Sequence, residues 1–146
     1  MKHKSSGSKV GANNVSDETP ERSELIRSTI ITIVLTTVLL VIGLAFWAWS
    51  SPEVIDTSPV GAINELNPAL TILIEVLVMF MVFVFLAVTV INLKLMLTSI
   101  RAGWTEIIVL LIVIAIATSA MFNLFVGAAT VILSIGFVVY LYLLQD

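Results

Sequence analysis

The chain has 146 residues, of which 59% are hydrophobic and only 12% are charged, and its formal net charge is −3. A soluble domain of this size has far more polar surface, so lipid must surround most of the chain. The acidic balance indicates no nucleic-acid partner, and the absence of cysteine excludes disulfides, thiolate metal sites and thiol catalysis. We therefore expect a multi-pass protein of the cell membrane.

The N-terminal region is polar and precedes the first apolar run. Residues 1–19 are rich in Ser, Gly, Asn and charge, which predicts a disordered tail. Thr19 and Pro20 have the pattern of a helix N-cap followed by a first-turn proline. The membrane domain is therefore predicted over residues 20–146, with a first span at about residues 28–49.

The second span is predicted over residues 69–93, which are almost wholly apolar and contain one carboxylate, Glu75. A hydrocarbon core about 30 Å thick requires roughly 20 helical residues, so this run is long enough. Asn67 and Pro68 repeat the cap-then-proline pattern. The preceding loop is acidic, and residues 60–66 within it are expected to form a short helical turn. The second helix is expected to end near Ile100.

Residues 107–144 carry no charge and are too long for one span. A single helix of that length would measure about 57 Å at about 1.5 Å per residue, nearly twice the core. We therefore predict a tight hairpin at residues 121–124, because Asn123 is the most turn-prone polar residue there. The last two spans are then about 106–121 and 124–144, with Thr105 and Glu106 capping the third helix. The alternatives are a break at Gly127 and a three-span protein with one long helix.

Orientation follows from the basic residues. In a four-span chain with its N-terminus inside, all seven Lys and Arg residues lie on the inner side. The first outer loop, which includes Asp56, then holds none. Both termini are therefore predicted to be inside.

Small and hydroxylated residues recur at helical spacing on the predicted spans. In lipid, such faces allow helices to approach closely and to exchange hydrogen bonds. We interpret them as packing seams of a helix bundle, although a substrate path lined by the same residues is an alternative. The residues assigned to packing are Thr36, Gly43, Ala115, Ser119, Gly127 and Ser134.

Glu75 is the sharpest functional signal in the sequence. It lies about two turns into its span, and carboxylates at membrane depth tend to face a bundle interior or a water pathway. The same depth in the other spans is occupied by Gly43, Thr118 and Thr130, and no basic residue falls there. One interpretation is a neutral acid that hydrogen-bonds these hydroxyls and fixes helix register. The other is a proton or cation site.

Catalytic and cofactor signatures are missing from the sequence. Hydrolase, phosphate-loop and zinc motifs are absent, and the only histidine, His3, lies in the polar tail. We therefore predict that the protein is not an enzyme and binds no cofactor.

Residues 70–144 resemble the phosphate-starvation-inducible E (PsiE-type) family of small four-span membrane proteins. The similarity consists of an acid early in the second span, within Leu-Ile-Glu-Val-Leu at residues 73–77, then a short basic loop and a tight final hairpin. The chain departs from the family at residues 116–120, Ile-Ala-Thr-Ser-Ala, where an arginine would be expected. The resemblance implies a small membrane protein of poorly defined activity.

The predicted fold class is all-α, an integral membrane four-helix bundle with both termini inside. We expect an accessory or structural component that acts through helix–helix contacts, with the lipid bilayer and either further copies of itself or another membrane protein as partners. The alternative is an oligomeric channel or a proton or cation conduit that uses Glu75, including a holin-like pore.

Overall fold

The structure is a computed structural model and describes residues 22–145, all helices and short connections. The polar tail and the predicted helix start at Thr19 lie outside these residues. Four helices are long and apolar enough to cross a membrane, so the protein is an all-α, integral membrane four-helix bundle. The helices are α1 (Arg22–Trp49), a short α2 (Pro59–Leu66), α3 (Pro68–Thr98), α4 (Trp104–Met121) and α5 (Leu124–Gln145), with a 3-10 turn (Ile55–Thr57) before α2.

The start of α3 was predicted correctly, whereas its end was not. The Asn67 side-chain oxygen accepts a hydrogen bond from the Ala69 amide at 3.0 Å, and Pro68 occupies the first turn. The helix was expected to run to about Ile100 but ends at Thr98, because Ser99 adopts a left-handed conformation with φ of 56°. A left-handed residue directs the chain out of the helix.

Of the two residues predicted to cap α4, Glu106 takes part in the cap and Thr105 does not. The N-cap is Gly103, and α4 begins at Trp104. The Glu106 carboxylate accepts a hydrogen bond from the Gly103 amide at 2.8 Å. A glutamate at the third helical position commonly reaches back to the N-cap amide in this way, so Glu106 marks a start two residues earlier than Thr105.

The final hairpin turns at Phe122 and Asn123, within the predicted range of residues 121–124. The Asn123 side-chain oxygen accepts a hydrogen bond from the Val126 amide at 2.9 Å and so satisfies a free donor of the first turn of α5. Gly127, the alternative break, lies inside α5. The hairpin separates α4 and α5 into two helices that each have the length of a span.

α3 is the central helix of the bundle. α1 packs mainly against one side of it, while α4 and α5 pack against each other and against α3. The buried core lies between α3 and the α4–α5 pair and includes Phe83, Ile114 and Val138. Because α3 is covered from two sides, it contributes more buried side chains than any other described helix.

The two ends of the bundle differ in charge. We call the end with the α1–α3 connection and the α4–α5 turn the acidic end, because its charged residues are Glu53, Asp56, Glu65 and Glu75. We call the other end the basic end, since all Lys and Arg among residues 22–145 lie there. At the basic end Lys94 forms an ion pair with Glu106, and the Asn92 amide donates to Ser28 Oγ at 3.0 Å.

This separation of charge gives a topology prediction. Basic residues are retained on the cytoplasmic side of a membrane, so the basic end should be inside and the acidic end outside. A reporter fused at Asp56 should be detected outside, and reporters fused at Met1 and Asp146 should be detected inside. An external reporter at Asp146 would contradict the predicted orientation.

Candidate site around Glu75

Glu75 lies at the interface between α3 and the end of α1. Its side chain is only 6% exposed. Ser50, the residue that follows α1, places its hydroxyl oxygen 3.4 Å from Glu75 Oε1. Among the described residues this is the only hydrogen-bond contact of the carboxyl group. It joins two residues that are 25 positions apart in sequence.

The Ser50 contact is weak if Glu75 is ionised. The same hydroxyl lies 2.7 Å from the Phe46 carbonyl oxygen, and a hydroxyl has a single hydrogen to donate. If that hydrogen is directed at Phe46, an ionised Glu75 receives almost no hydrogen bonding. A protonated Glu75 can instead donate to Ser50 Oγ. The pair therefore accommodates either a neutral acid or a carboxylate that has no strong partner.

The connection from α1 to α3 fixes the position of Ser50. Ser58 Oγ accepts a hydrogen bond from the Gly61 amide at 3.2 Å and lies 2.9 Å from the Ile55 carbonyl oxygen and 3.1 Å from the Trp49 carbonyl oxygen, so α2 and the preceding turn lie close to the end of α1. Gly61 packs directly on the backbone of Ile55, and a Cβ at this position would overlap the Ile55 carbonyl oxygen. This close approach explains why a glycine is needed inside α2.

A cleft of about 650 Å³ opens beside Glu75 at the acidic end. It lies between the end of α1 and the α4–α5 turn. Its lining combines aromatic and apolar side chains with a few polar groups, of which Glu75 is the only charged one. The lining residues are Trp47, Ala48, Ser50, Ser51, Pro52, Glu75, Met121, Phe122 and Asn123.

The hydrogen bonds expected between Glu75 and the residues at equal depth are not formed. Thr130 donates to the Val126 carbonyl of its own helix at 2.8 Å, and the fully buried Thr118 hydroxyl has no hydrogen-bond partner among the described residues. Gly43 packs against Met79 and Val78 instead, where an added Cβ would lie at 3.5 and 3.6 Å from their side chains.

The direction of helical side chains explains this correction. The Cα–Cβ bonds of an α-helix tilt towards its N-terminus, so the Glu75 carboxyl group lies nearer the acidic end than the Glu75 Cα does. Counting residues along the spans placed the carboxyl group beside Thr118 and Thr130. In the structure its neighbours are Ser50 and the cleft. The sequence did not identify Ser50 as a neighbour of Glu75, because its position indicates only the end of the first helix.

The residues assigned to packing occupy different depths in the bundle. Thr36, Gly43, Gly127 and Ser134 are buried, and Ala115 and Ser119 are half-buried. Gly127 lies directly against Ser119, so these two residues mark a close approach of α4 and α5. The Thr36 and Ser134 hydroxyls each bond a carbonyl four residues earlier on the same helix, at 2.7 and 2.8 Å.

The donor set around Glu75 does not favour a metal ion. Within residues 22–145, no group of three or more His, Cys, Asp or Glu side chains converges on one point. Magnesium and calcium usually take about six to eight oxygen ligands, whereas the cleft offers one carboxylate and a few neutral oxygens.

Comparison with known proteins gives no independent support for a function. No protein-family model, curated protein or solved structure matches the chain. The resemblance to the PsiE-type family therefore remains a prediction, and the site is interpreted from its own geometry.

Proposed function

We propose that this integral membrane protein is a non-enzymatic accessory or structural component of the cell membrane. It acts through contacts between its helices and those of further copies or of another membrane protein. Membership of the PsiE-type family is part of the same proposal and is consistent with a small protein of this kind. The observation that carries the proposal is the large part of α1 that none of the other described helices covers.

α1 uses one narrow face inside the chain. Thr29, Thr32, Thr36 and Gly43 are its buried residues, and they share the side that packs on α3. The opposite side, which we call the outer face of α1, consists of Ile30, Val34, Val38 and Val41, each at least 50% exposed. β-branched residues lose little side-chain freedom when another helix packs on them, so this face is suited to helix–helix contact as well as to lipid.

The interior of the bundle is also typical of a structural protein. Between Glu75 and Thr89, the buried side chains of α3 are Val76, Met79, Val82, Phe83 and Ala87, and these five are apolar. The buried threonines of α1 bond carbonyl groups of their own helix. On α3 these five side chains lie between Glu75 and the basic end, and the buried Thr130 and Ser134 hydroxyls of α5 bond carbonyl groups of their own helix, which favours support over transport through one chain.

A second candidate function is an oligomeric channel or a proton or cation conduit, of which a holin-like pore is a variant. The observation that favours it is a nearly buried carboxylate beside an open cleft. Ionisable groups at membrane depth often mark ion pathways. A pathway between copies suits this function better than one within a single chain, because apolar side chains of α3 lie between Glu75 and the basic end.

Cross-linking tests the accessory role. The chain contains no cysteine, so single-cysteine variants need no further substitution. Val34→Cys and Val41→Cys place thiols on the outer face of α1, and we expect them to form disulfide-linked dimers or links to a partner in native membranes. Val82→Cys, buried in the core at 1% exposure, is the matched control and should form none.

Ion flux distinguishes the two candidates. Purified protein in liposomes should release no trapped protons or potassium ions above the level of empty liposomes. Glu75→Gln should behave identically, because the amide preserves the size of the side chain and can still contact Ser50. A flux by the wild type that Glu75→Gln abolishes, together with an absence of cross-links, would contradict the accessory role and favour the conduit.

A further inference from the structure

The cleft at the acidic end combines features of a ligand site. Binding pockets commonly measure about 300–1,000 Å³ and are mainly apolar, with a few placed polar groups. This cleft has a volume of about 650 Å³ and presents Trp47, Met121 and Phe122 around one carboxylate. Its size and lining suit a small, partly apolar molecule.

The Glu75 carboxylate, when ionised, can accept more hydrogen bonds than the described residues offer it. An ionised carboxylate accepts several hydrogen bonds, yet among residues 22–145 only Ser50 contacts it, at 3.4 Å, and that hydroxyl has a closer acceptor in Phe46. All described Lys and Arg residues lie at the basic end, so the lining offers no positive charge. A nearly buried charge without a partner is costly, and a cationic ligand would remove that cost.

The surroundings also favour a positive charge. Tryptophan is the best aromatic partner for a cation, and Trp47 lines the cleft together with Phe122. Glu53, Asp56 and Glu65 lie at the same end of the bundle, and a surface of one charge sign raises the local concentration of oppositely charged ligands. The aromatic and apolar part of the lining suits a cation with carbon substituents better than a strongly hydrated inorganic ion.

We infer that this cleft binds a monovalent organic cation, a quaternary ammonium or a protonated amine with apolar substituents. Its charge pairs with the Glu75 carboxylate and its substituents contact Trp47 and Phe122. This goes beyond the proposed function and does not depend on it, because binding requires only a single folded chain.

Calorimetry on purified protein in detergent micelles, in mildly alkaline buffer, tests the inference with benzyltrimethylammonium as the probe. We expect saturable binding of one cation per chain. Sodium chloride at the same concentration should give no saturable heat. Glu75→Gln should weaken binding by about tenfold or more, as loss of a desolvated charge partner does. Trp47→Leu should weaken it by about threefold, the size of a partly exposed cation–π contact.

Glu65→Gln is the matched control. It removes an exposed carboxylate at the same end, outside the cleft, and should leave the affinity within about twofold of the wild type, as expected for a screened surface charge. Circular dichroism should show that Glu75→Gln keeps the helical content of the wild type. Absence of saturable binding to the folded wild type, equal affinity in Glu75→Gln, or equal affinity for sodium would each overturn the inference.

Discussion

Replacing Gly127 by leucine should destabilise the α4–α5 hairpin by about 3 kcal/mol, the upper range for overpacking of a close contact. A Cβ at Gly127 would overlap the Ser119 hydroxyl and would lie 3.1 Å from Ser119 Cβ and 3.3 Å from Ser119 Cα. Rotation of Ser119 can move its hydroxyl but cannot move its Cα. A larger side chain must therefore push the two helices apart. Unfolding in mixed micelles with increasing SDS, followed by circular dichroism, measures the loss.

Gly136→Leu is the matched control on the same helix. An added Cβ at Gly136 meets no atom within 4 Å, so this leucine should face lipid and leave stability unchanged or slightly raised. A size exchange gives a second check. Gly127→Ala should be destabilising alone, and adding Ser119→Gly should recover part of the loss by removing the overlapping atoms. Equal destabilisation by Gly127→Leu and Gly136→Leu would contradict a close approach at Gly127.

The number of spans and the positions of most turns could be predicted from the sequence. In lipid every backbone N–H and C=O group must be paired within the protein, as in a helix. The length of the apolar segments therefore fixes how many spanning helices the chain contains. The unbroken apolar residues 107–144 exceeded one span, and Asn123 then identified the turn. Asn67 identified the start of α3 because an N-cap side chain and the following proline act locally.

The neighbours of Glu75 could not be predicted, because they depend on directions in space. Depth counted in residues does not include the lean of side chains towards the helix N-terminus, which brings Glu75 to Ser50. Threonine in a helix can satisfy its hydroxyl on its own backbone, and Thr130 does so. The end of α3 was also missed. It depends on the left-handed conformation of Ser99, for which serine gives no strong sequence signal.

Phe83→Ala should lower the free energy of unfolding within the membrane by about 2 kcal/mol, through loss of packing. Phe83 is fully buried in the core that joins α3 to α4 and α5, among Val82, Ala87 and Ile114. Its removal leaves a cavity that rigid helices fill only in part. The transfer of the ring from water contributes little, because helices that separate in a bilayer still lie in hydrocarbon. The predicted loss is therefore smaller than in a soluble core.

Phe125→Ala separates packing from hydrophobic transfer. Phe125 carries the same side chain but is 68% exposed, in the first turn of α5. If packing governs stability, Phe125→Ala should change the unfolding free energy by less than about 0.5 kcal/mol, as expected away from packed sites. Equal losses from the two substitutions would mean that the transfer of apolar surface, rather than contact between helices, holds the bundle together. Because both variants remove the same atoms, the difference between them in SDS unfolding measures the contribution of the α3 core alone.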